Sequence, residues 1–320
     1  MLYFSTLPAP FAPIGQPLCY TLDGLAQPRL ELRVLTSDGR LLATKLLTNA
    51  SPATVDLAPI LRRVVRFQPT LGKSGFVASA DRTITVQVEA RCGAETVRSQ
   101  PRTFRAALDP VTLPAICSAL PPTRLIAPSE CDEITIVAAD PCRVTVTADS
   151  SGKLTTEEFR APEGGVQCFR LAVADYPEAE EFTLTIEGLG TLRYLITPAV
   201  EGAVRLAWRT QQGAIEHYTF PLVDPIRLLV DKERAYTSEG YSLTSVGVEE
   251  RWVLHSAYET AEAMRPLSEL LYAEQVWRVG EAGYEPIDLV TEESELKQQG
   301  LLRRLSVTIR STLKNKRLWS

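Results

Sequence analysis

Histidine is the residue type that most restricts the chemistry of this chain, because only His217 and His255 are present. A nucleophilic serine or cysteine needs a base within hydrogen-bond reach, and many metal centres use imidazole ligands. No nucleophile elbow, zinc-protease motif or phosphate-binding loop accompanies either histidine. Alternation places His255 on a solvent-facing side of a strand and His217 on the same strand face as Ile215 and Thr219. We interpret both as structural histidines, and we expect no catalytic residue, no metal site and no cofactor.

Clustered carboxylates are the second residue type that could do chemistry, because a pair of them can cleave a glycosidic bond. Two clusters occur, Glu178, Glu180 and Glu181, and Glu292, Glu293 and Glu295. Both lie in polar, turn-like stretches, which is typical of solvated side chains. A glycoside hydrolase is therefore the least favoured function, and we expect a protein without enzymatic activity.

The six cysteines show no pattern of a metal or redox site, since none forms a C-x-x-C pair. The N-terminal residues lack the basic region and the continuous apolar run of a signal peptide, so we expect no export by that route. Reduced thiols are then the simplest prediction. Cys131 and Cys142 flank a predicted strand, and a disulfide between them stays open as the alternative.

The formal net charge of −5 combines 34 basic and 39 acidic residues and conceals an uneven distribution. Residues 224–295 contain 16 acidic and 6 basic side chains, whereas residues 296–320 contain seven basic side chains and no acidic one. Two interpretations stay open. A basic final strand could lie beside its own acidic domain, or an acidic face of one subunit could meet a basic face of the next. The overall acidity makes a nucleic-acid partner unexpected.

All four tryptophans fall in the last third of the chain, together with the basic residues. Tryptophan in alternating strands is typical of core or interface anchors, and a sugar-binding face is the alternative. The set of side chains that we expect at subunit contacts is Trp208, Tyr218, Trp252, Trp277, Arg303, Arg304, Arg310, Lys314, Lys316, Arg317 and Trp319.

Strands are the elements that must position these side chains, because apolar and polar residues alternate along most of the chain. The pattern predicts strands at 83–90, 143–148 and 305–310, and hairpins over 182–196 and 204–220. Helix is predicted in two places only. One short helix spans 56–65, after Asp56 and with a proline in its first turn. The other spans 258–272, where Pro266 is expected to divide it into two pieces.

Prolines mark the expected domain boundaries in this chain of 320 residues. They cluster over 108–128 and recur at Pro198, which suits extended connectors better than sheet interiors. We therefore predict an N-terminal β-sandwich at 1–109, a central β-sandwich at 110–198 and a mixed β domain at 199–320. The predicted fold is mainly β, with tandem Ig-like sandwiches followed by a β-rich α+β unit that carries the short helices. No apolar run is long enough to span a bilayer, so membrane insertion is not expected.

The C-terminal third resembles structural proteins of tailed phages and of prophages of gut bacteria. The stretches that carry the resemblance are LAWRTQQGAIEHYTF at 206–220, PLSELL at 266–271, VWRV at 276–279 and YEPIDLV at 284–290, with DLAPIL at 56–61. The resemblance implies a β-rich virion component of the tail or baseplate region, with no catalytic residues to carry over. The central region, with four of the cysteines, has no such match.

The expected function is therefore that of a non-enzymatic structural subunit of a phage tail, a prophage tail or a related contractile injection assembly. Its partners would be other copies of itself and neighbouring tail subunits, and it would be a virion component assembled in the bacterial cytoplasm. The alternative is a surface or adhesin module that binds a glycan or a host receptor through the late tryptophans.

Overall fold

The structure is a computed structural model that describes residues 1–49, 51–294 and 296–312, together with the backbone of 315–318. The first part contains β1 (Tyr3–Thr6), β2 (Cys19–Asp23), β3 (Arg29–Thr36), β4 (Leu41–Thr48), β5 (Ala53–Asp56), α1 (Ala58–Val64), β6 (Gly75–Val77), β7 (Thr83–Cys92), β8 (Glu95–Arg98) and β9 (Arg102–Arg105). The middle part contains β10 (Ala115–Ile116), β11 (Thr123–Ile126), β12 (Cys131–Ala138), β13 (Arg143–Ser150), β14 (Lys153–Arg160), β15 (Gly165–Ala172), a 3-10 turn (Val173–Asp175), β16 (Glu181–Ile186) and β17 (Gly190–Ile196).

The last part of the chain has the longest strands and the second helix. It contains β18 (Val204–Arg209), β19 (Ile215–Phe220), β20 (Leu222–Val223), β21 (Arg227–Thr237), β22 (Gly240–His255), α2 (Ala261–Leu267), a 3-10 helix (Ser268–Tyr272), β23 (Val276–Gly280), β24 (Gly283–Leu289), β25 (Lys297–Gln299), β26 (Leu302–Arg304), β27 (Ser306–Ser311) and β28 (Asn315–Leu318). The prediction of a mainly β chain of sandwich class with short helices is thereby confirmed.

Two sheets form the N-terminal unit and enclose its core. The order β1-β2-β5 faces the order β4-β3-β7-β8, with β9 also paired to β7. Tyr20 and Leu32 are buried between the two sheets. Helix α1 closes the core with Leu61. It begins at Ala58 with Leu57 as the N-cap residue, so Asp56 lies one position before the cap that the sequence predicts, where its carboxylate accepts the Ala58 N–H at 2.9 Å.

The central unit is a second sandwich, in which the order β10-β12-β15-β6 faces the order β11-β17-β16-β13-β14. Alternate side chains of both sheets, such as Ile134 and Phe182, form its core. Strand β6 comes from the N-terminal third of the chain and pairs with β15, placing Phe76 edge-on to Phe169 with ring centroids 5.4 Å apart. The boundaries at 109/110 and 198/199 stay predictions, and β6 shows that the chain crosses between the first two units.

A nine-stranded sheet dominates the C-terminal unit, with the path β19-β18-β23-β24-β27-β22-β20 and with β21 and β28 paired to β22. Helix α2 and the 3-10 helix cover one face, where Trp208, Met264 and Leu270 are buried. The opposite face contributes Ala207 and Trp277 to the N-terminal core. The predicted hairpins at 182–196 and 204–220 are both present.

Helix α2 differs from the prediction in where it ends. Pro266 lies inside it, and the change to 3-10 geometry comes after Leu267. The proline removes one N–H from a helix of seven residues, and a single lost bond near the end does not stop the helix. Thr260 caps the start by accepting the Ala263 N–H at 3.3 Å. Among the described residues, no helix is long and apolar enough to cross a membrane.

Candidate functional site: an exposed hairpin arm and a buried junction

Strands β21 and β22 form a long antiparallel hairpin, which we call the arm (residues 227–251). Its register runs from Arg227 opposite Arg251 to Thr237 opposite Gly240. Every residue of β21 is exposed, so neither face of this strand is covered by the rest of the described chain. The arm is therefore a surface element and adds little to the core.

Local sequence explains why the arm forms a hairpin. The turn ends at Gly240, whose φ of 111° is available to glycine at low cost, and the Thr237 hydroxyl donates to the Gly240 carbonyl at 2.9 Å. A register shift after Glu233 leaves Thr244 unopposed, and the Thr244 hydroxyl bonds the Glu233 carbonyl at 3.1 Å. Such a bulge increases the local twist of the two strands.

The exposed side chains of the arm are unusually apolar for a soluble surface. Leu228 is 62% exposed, Val230 50%, Tyr236 77% and Tyr241 78%. The two tyrosines stack edge-on near the turn, with ring centroids 5.2 Å apart. Within the described part of the chain, β21 pairs with β22 alone, so its other edge presents unpaired backbone groups. Apolar side chains beside an unpaired edge are typical of a protein-binding surface.

The basic final segment lies beside the acidic strand of its own arm. Strand β27 pairs with β22, and the backbone of β28 continues along the same strand. The Arg310 guanidinium lies 2.9 Å from Glu249 and also bonds Asp288 at 2.7 Å. Hydrogen bonds from Arg251 and Arg310 hold the pKa of Glu249 below its usual value. Of the two interpretations of the charge pattern, the geometry favours the one in which the basic strand lies against its own acidic domain.

Two of the predicted contact residues are in the interior. Trp208 is fully buried and Trp277 is 4% exposed, each packed against other residues of the same chain. The strands that carry both tryptophans are buried on both faces, although their residues alternate as in a strand with one open face. Helices cover one face of the sheet and the N-terminal unit covers the other. The expectation that these two tryptophans lie at subunit contacts, or on a sugar-binding face, is therefore wrong.

The remaining predicted contact residues lie nearer the surface. Tyr218 is half-buried and donates to Glu259 at 2.8 Å. Arg303 forms a backbone bridge with Glu259, and the Arg304 guanidinium lies over the ring of Tyr258 at 5.5 Å. The backbone of Lys316 and Arg317 lies in β28, and Lys314 and Trp319 lie outside the described residues.

Trp252 lies at the base of the arm and lines a shallow cavity with Glu250, Arg278, Glu285 and Arg310. The cavity volume is about 100 Å³, whereas small-molecule sites are usually about 300–1,000 Å³. The Arg278 guanidinium lies over the Trp252 ring at 4.4 Å and also bonds Glu285. Arg278 therefore covers this face of the Trp252 ring, and the cavity does not support the glycan-binding alternative.

His217 lies in a buried polar cluster between the central and C-terminal units, not in a cavity. Its Nδ1 is 2.8 Å from Asp132 and its Nε2 is 2.9 Å from the hydroxyl of Tyr284. The histidine is 5% exposed and Asp132 is 2% exposed. Both side chains are buried, and the interpretation of His217 as a structural histidine stays a prediction. His255 is half-buried, on the strand face opposite to the buried Leu254, and its ring contacts Ser306 and Asp224.

Arginines on both sides complete this junction. Arg124 bonds Asp132 at 2.9 Å and lies 3.3 Å from Glu216. Arg205 bonds Glu130 at 2.9 Å and also the carbonyl of Cys131 at 2.8 Å. Each arginine pairs with a carboxylate from a different segment of the chain. A buried charge requires such a partner, because it has lost its contact with water. Sequence reasoning missed this junction because its members are single charged residues, in segments that are far apart in the chain. The one signal in the sequence was that these charges interrupt otherwise apolar strands.

A second junction joins the N-terminal unit to the other two through the ring of Phe67. The guanidinium of Arg82 lies 4.0 Å from the ring centroid and that of Arg209 lies 4.7 Å from it. Arg82 also bonds Glu133 of the central unit at 2.7 Å, and Arg209 bonds the Ala106 carbonyl at 3.0 Å. These cation–π and ionic contacts connect all three parts of the chain.

The six cysteines, all within the described residues, are free thiols, as the simplest prediction had it. Burial raises the pKa of Cys117 to about 11 and that of Cys168 to about 12. Neither thiol is therefore a reactive thiolate at neutral pH. Among the described residues, no group of three or more His, Cys, Asp or Glu side chains is placed to hold a metal ion.

Comparison with known proteins finds no family model and no curated protein that matches the chain. Among solved structures, Dpr2 Ig1-Ig2 in complex with DIP-Theta Ig1-Ig3 matches with 9% identity over 62% of this chain and 99% of that one, at a TM-score of 0.18. A mutant alpha-2-macroglobulin of Salmonella matches with 10% identity over 99% of this chain and 21% of that one, at a TM-score of 0.23. A tandem from titin matches with 7% identity over 99% and 97%, at 0.17. Likeness at these scores says nothing about what the chain binds.

Proposed function

We propose that this chain is a non-enzymatic structural subunit that assembles with other subunits through its exposed arm. The observation that carries the proposal is the uncovered strand β21, with an unpaired backbone edge and aliphatic and tyrosine side chains in solvent. A strand from a partner subunit would form backbone hydrogen bonds with that edge, and its binding would bury the apolar side chains.

A second copy of the chain is the partner that the charges favour. Strand β21 has three basic residues, Arg227, Lys232 and Arg234, and two acidic ones, whereas the whole chain has a net charge of −5. A slightly basic edge is attracted to an acidic surface, and such complementarity fixes the orientation of neighbours. The particle that we propose is a phage or prophage tail or a related injection assembly, in which the chain is a virion component. The resemblance of the C-terminal third to structural proteins of tailed phages supports this choice.

Substitution of the arm's apolar side chains tests the proposal. Leu228→Thr combined with Val230→Thr places β-branched residues, which suit a strand, at both positions and removes exposed apolar surface. Light scattering coupled to size exclusion should show oligomers for the native chain and monomers for this variant. Leu154→Thr is the control, because Leu154 is a leucine on β14, in a different sheet from the arm, and is 65% exposed. This control should keep the native mass.

Two results would contradict the proposal. A native chain that stays monomeric at every concentration would remove the second copy as the partner. Equal loss of assembly in the arm variant and in the Leu154 control would show that general surface hydrophobicity, not the arm, drives association.

A further inference from the structure

Two buried carboxylates share one guanidinium at the junction between the central and C-terminal units. Arg124 Nη1 lies 2.9 Å from Asp132 Oδ2 and 3.3 Å from Glu216 Oε2. Both acids are 2% exposed. Two carboxylates that share a single buried cation cannot both ionise cheaply, because the second charge is repelled by the first and has lost its water.

Asp132 is the acid that is better suited to carry the charge. Its Oδ2 also accepts the hydroxyl proton of Tyr194 at 2.7 Å, and its Oδ1 accepts the Glu133 N–H at 3.0 Å. His217 Nδ1 lies 2.8 Å from Oδ1 as well. Three hydrogen-bond donors therefore reach the two oxygens, from Arg124, Tyr194 and the Glu133 backbone, and a carboxylate with this many donors is stable without water.

Glu216 has fewer hydrogen-bond donors around its carboxyl group than Asp132 has. Its Oε1 accepts the Ala119 N–H at 3.0 Å, but its Oε2 has no hydrogen-bond partner among the described residues. Burial raises the pKa of Glu216 and the charge on Asp132 adds to the shift, while Arg124 and the Ser118 hydroxyl oppose it.

The charged and titratable groups near Glu216 come from several elements. They are Arg124 on β11, Asp132 on β12, Tyr194 on β17, the thiol of Cys117 after β10, and Glu269 on the 3-10 helix. Arg124 is the cation in contact with both acids, and Asp132 is nearer to it than Glu216 is. His217, on β19, contacts Asp132.

We propose that Glu216 keeps a proton at neutral pH and that this proton holds the junction between the central and C-terminal units closed. With Glu216 neutral, the charges of Arg124 and Asp132 balance. Loss of the proton would place a second negative charge at the contact between β12 and β19, on an oxygen that has, within the described part of the chain, no hydrogen-bond partner and only the 3.3 Å contact with Arg124. Rising pH therefore loosens this junction.

The pH dependence has a definite sign. The folded protein holds a proton that the unfolded chain releases near the ordinary glutamate pKa of about 4.3, so stability falls as the pH rises above that value. The fall ends at the pKa of Glu216 in the folded protein. Over this window the unfolding equilibrium constant of the native chain should rise by up to about tenfold per pH unit relative to a variant with no proton to lose.

Glu216→Gln is that variant, because an amide has the shape of the protonated acid and cannot ionise. Urea unfolding from about pH 5 to about pH 9 should give a ratio of native to variant unfolding constants that rises and then levels. Glu201→Gln, at an exposed glutamate of the same chain, is the control, and its ratio should stay constant. Hydrogen exchange should show loss of protection concentrated in β12 and β19.

A constant ratio for Glu216→Gln would overturn the proposal. Should that variant fail to fold, infrared spectroscopy of the native chain gives a second measurement. A carboxylic-acid carbonyl band that is present at neutral pH and disappears on alkaline titration is expected. Its absence at neutral pH would overturn the proposal as well.

Discussion

The guanidinium of Arg310 lies 2.9 Å from the carboxylate of Glu249, which joins the last basic segment of the chain to the strand that forms the arm. Both residues belong to the same sheet, since β27 is paired with β22 on one side and with β24 on the other. The basic segment is therefore part of the C-terminal fold and not a separate tail. Its removal should affect folding before it affects assembly.

Truncation of this segment should depend sharply on where the chain is cut. Deletion of residues 297–320 removes a strand from the middle of the sheet and the buried side chains Leu305, Val307 and Ile309, each of which stabilises the fold by about 1.5–3 kcal/mol. The C-terminal unit should then unfold, measured as loss of the near-UV circular dichroism of its tryptophans. A folded, soluble product that has merely lost its oligomers, which the charge pattern alone would suggest, would contradict this expectation.

Deletion of residues 313–320 is the matched experiment for the truncation. It leaves β27 and its pairing with β24 intact and removes one backbone neighbour of the arm, β28. The near-UV spectrum should keep its native form. Loss of structure in this shorter deletion would show that the last eight residues support the core.

Substitution of the tryptophans should separate core from surface. Trp208→Ala empties a fully buried site and should lower the free energy of unfolding by about 3–5 kcal/mol. Trp252→Ala should cost clearly less, because Trp252 is half-buried at the edge of the core. Chemical denaturation of both variants measures the difference. Equal losses would mean that Trp252 is as deeply packed as Trp208.

The Arg205–Glu130 pair, of which Arg205 is buried and Glu130 is half-buried, should contribute to stability as a largely desolvated ion pair. Arg205→Met leaves the Glu130 carboxylate with the Thr219 hydroxyl, 2.6 Å away, and the Ala127 N–H, 2.9 Å away, but without its cation, and should cost about 3 kcal/mol. Arg205→Met combined with Glu130→Met should cost less than the sum of the single variants, because no charge is left unpaired. A double-mutant cycle by urea unfolding measures the coupling, and strict additivity would refute it.

Asp132 should give an acid-dependent stability. Burial alone would raise its pKa, but Arg124 and His217 hold the pKa of this carboxyl well below its usual value. Its contribution is therefore present above the ordinary aspartate pKa of about 3.9 and is lost as the pH falls further. Asp132→Asn should be destabilised at neutral pH, and the gap to the native chain should narrow in acid. Thermal unfolding across that range checks this, and a gap that widens in acid would contradict it.

Local pattern was sufficient to predict many elements. Alternation over 182–196 and 204–220 predicts both hairpins, because side chains with a period of two fit a sheet with one face buried. Asp56 before Pro59 predicts α1 for an equally local reason, an accepted N–H and a preset φ. The same reasoning failed for Trp208 and Trp277, since alternation cannot tell whether the second face of a strand is open or covered.

Composition and period therefore determined the class of this protein, which is mainly β with short helices. Tertiary structure alone decided the rest. Pairing of β6 with β15, the shared guanidinium of Arg124 and the ring of Phe67 between two arginines each join residues that are far apart in the chain. The reason is physical. A strand's side-chain period depends on its neighbours in sequence, whereas the cost of a buried charge depends on which distant group lies within about 3 Å of it.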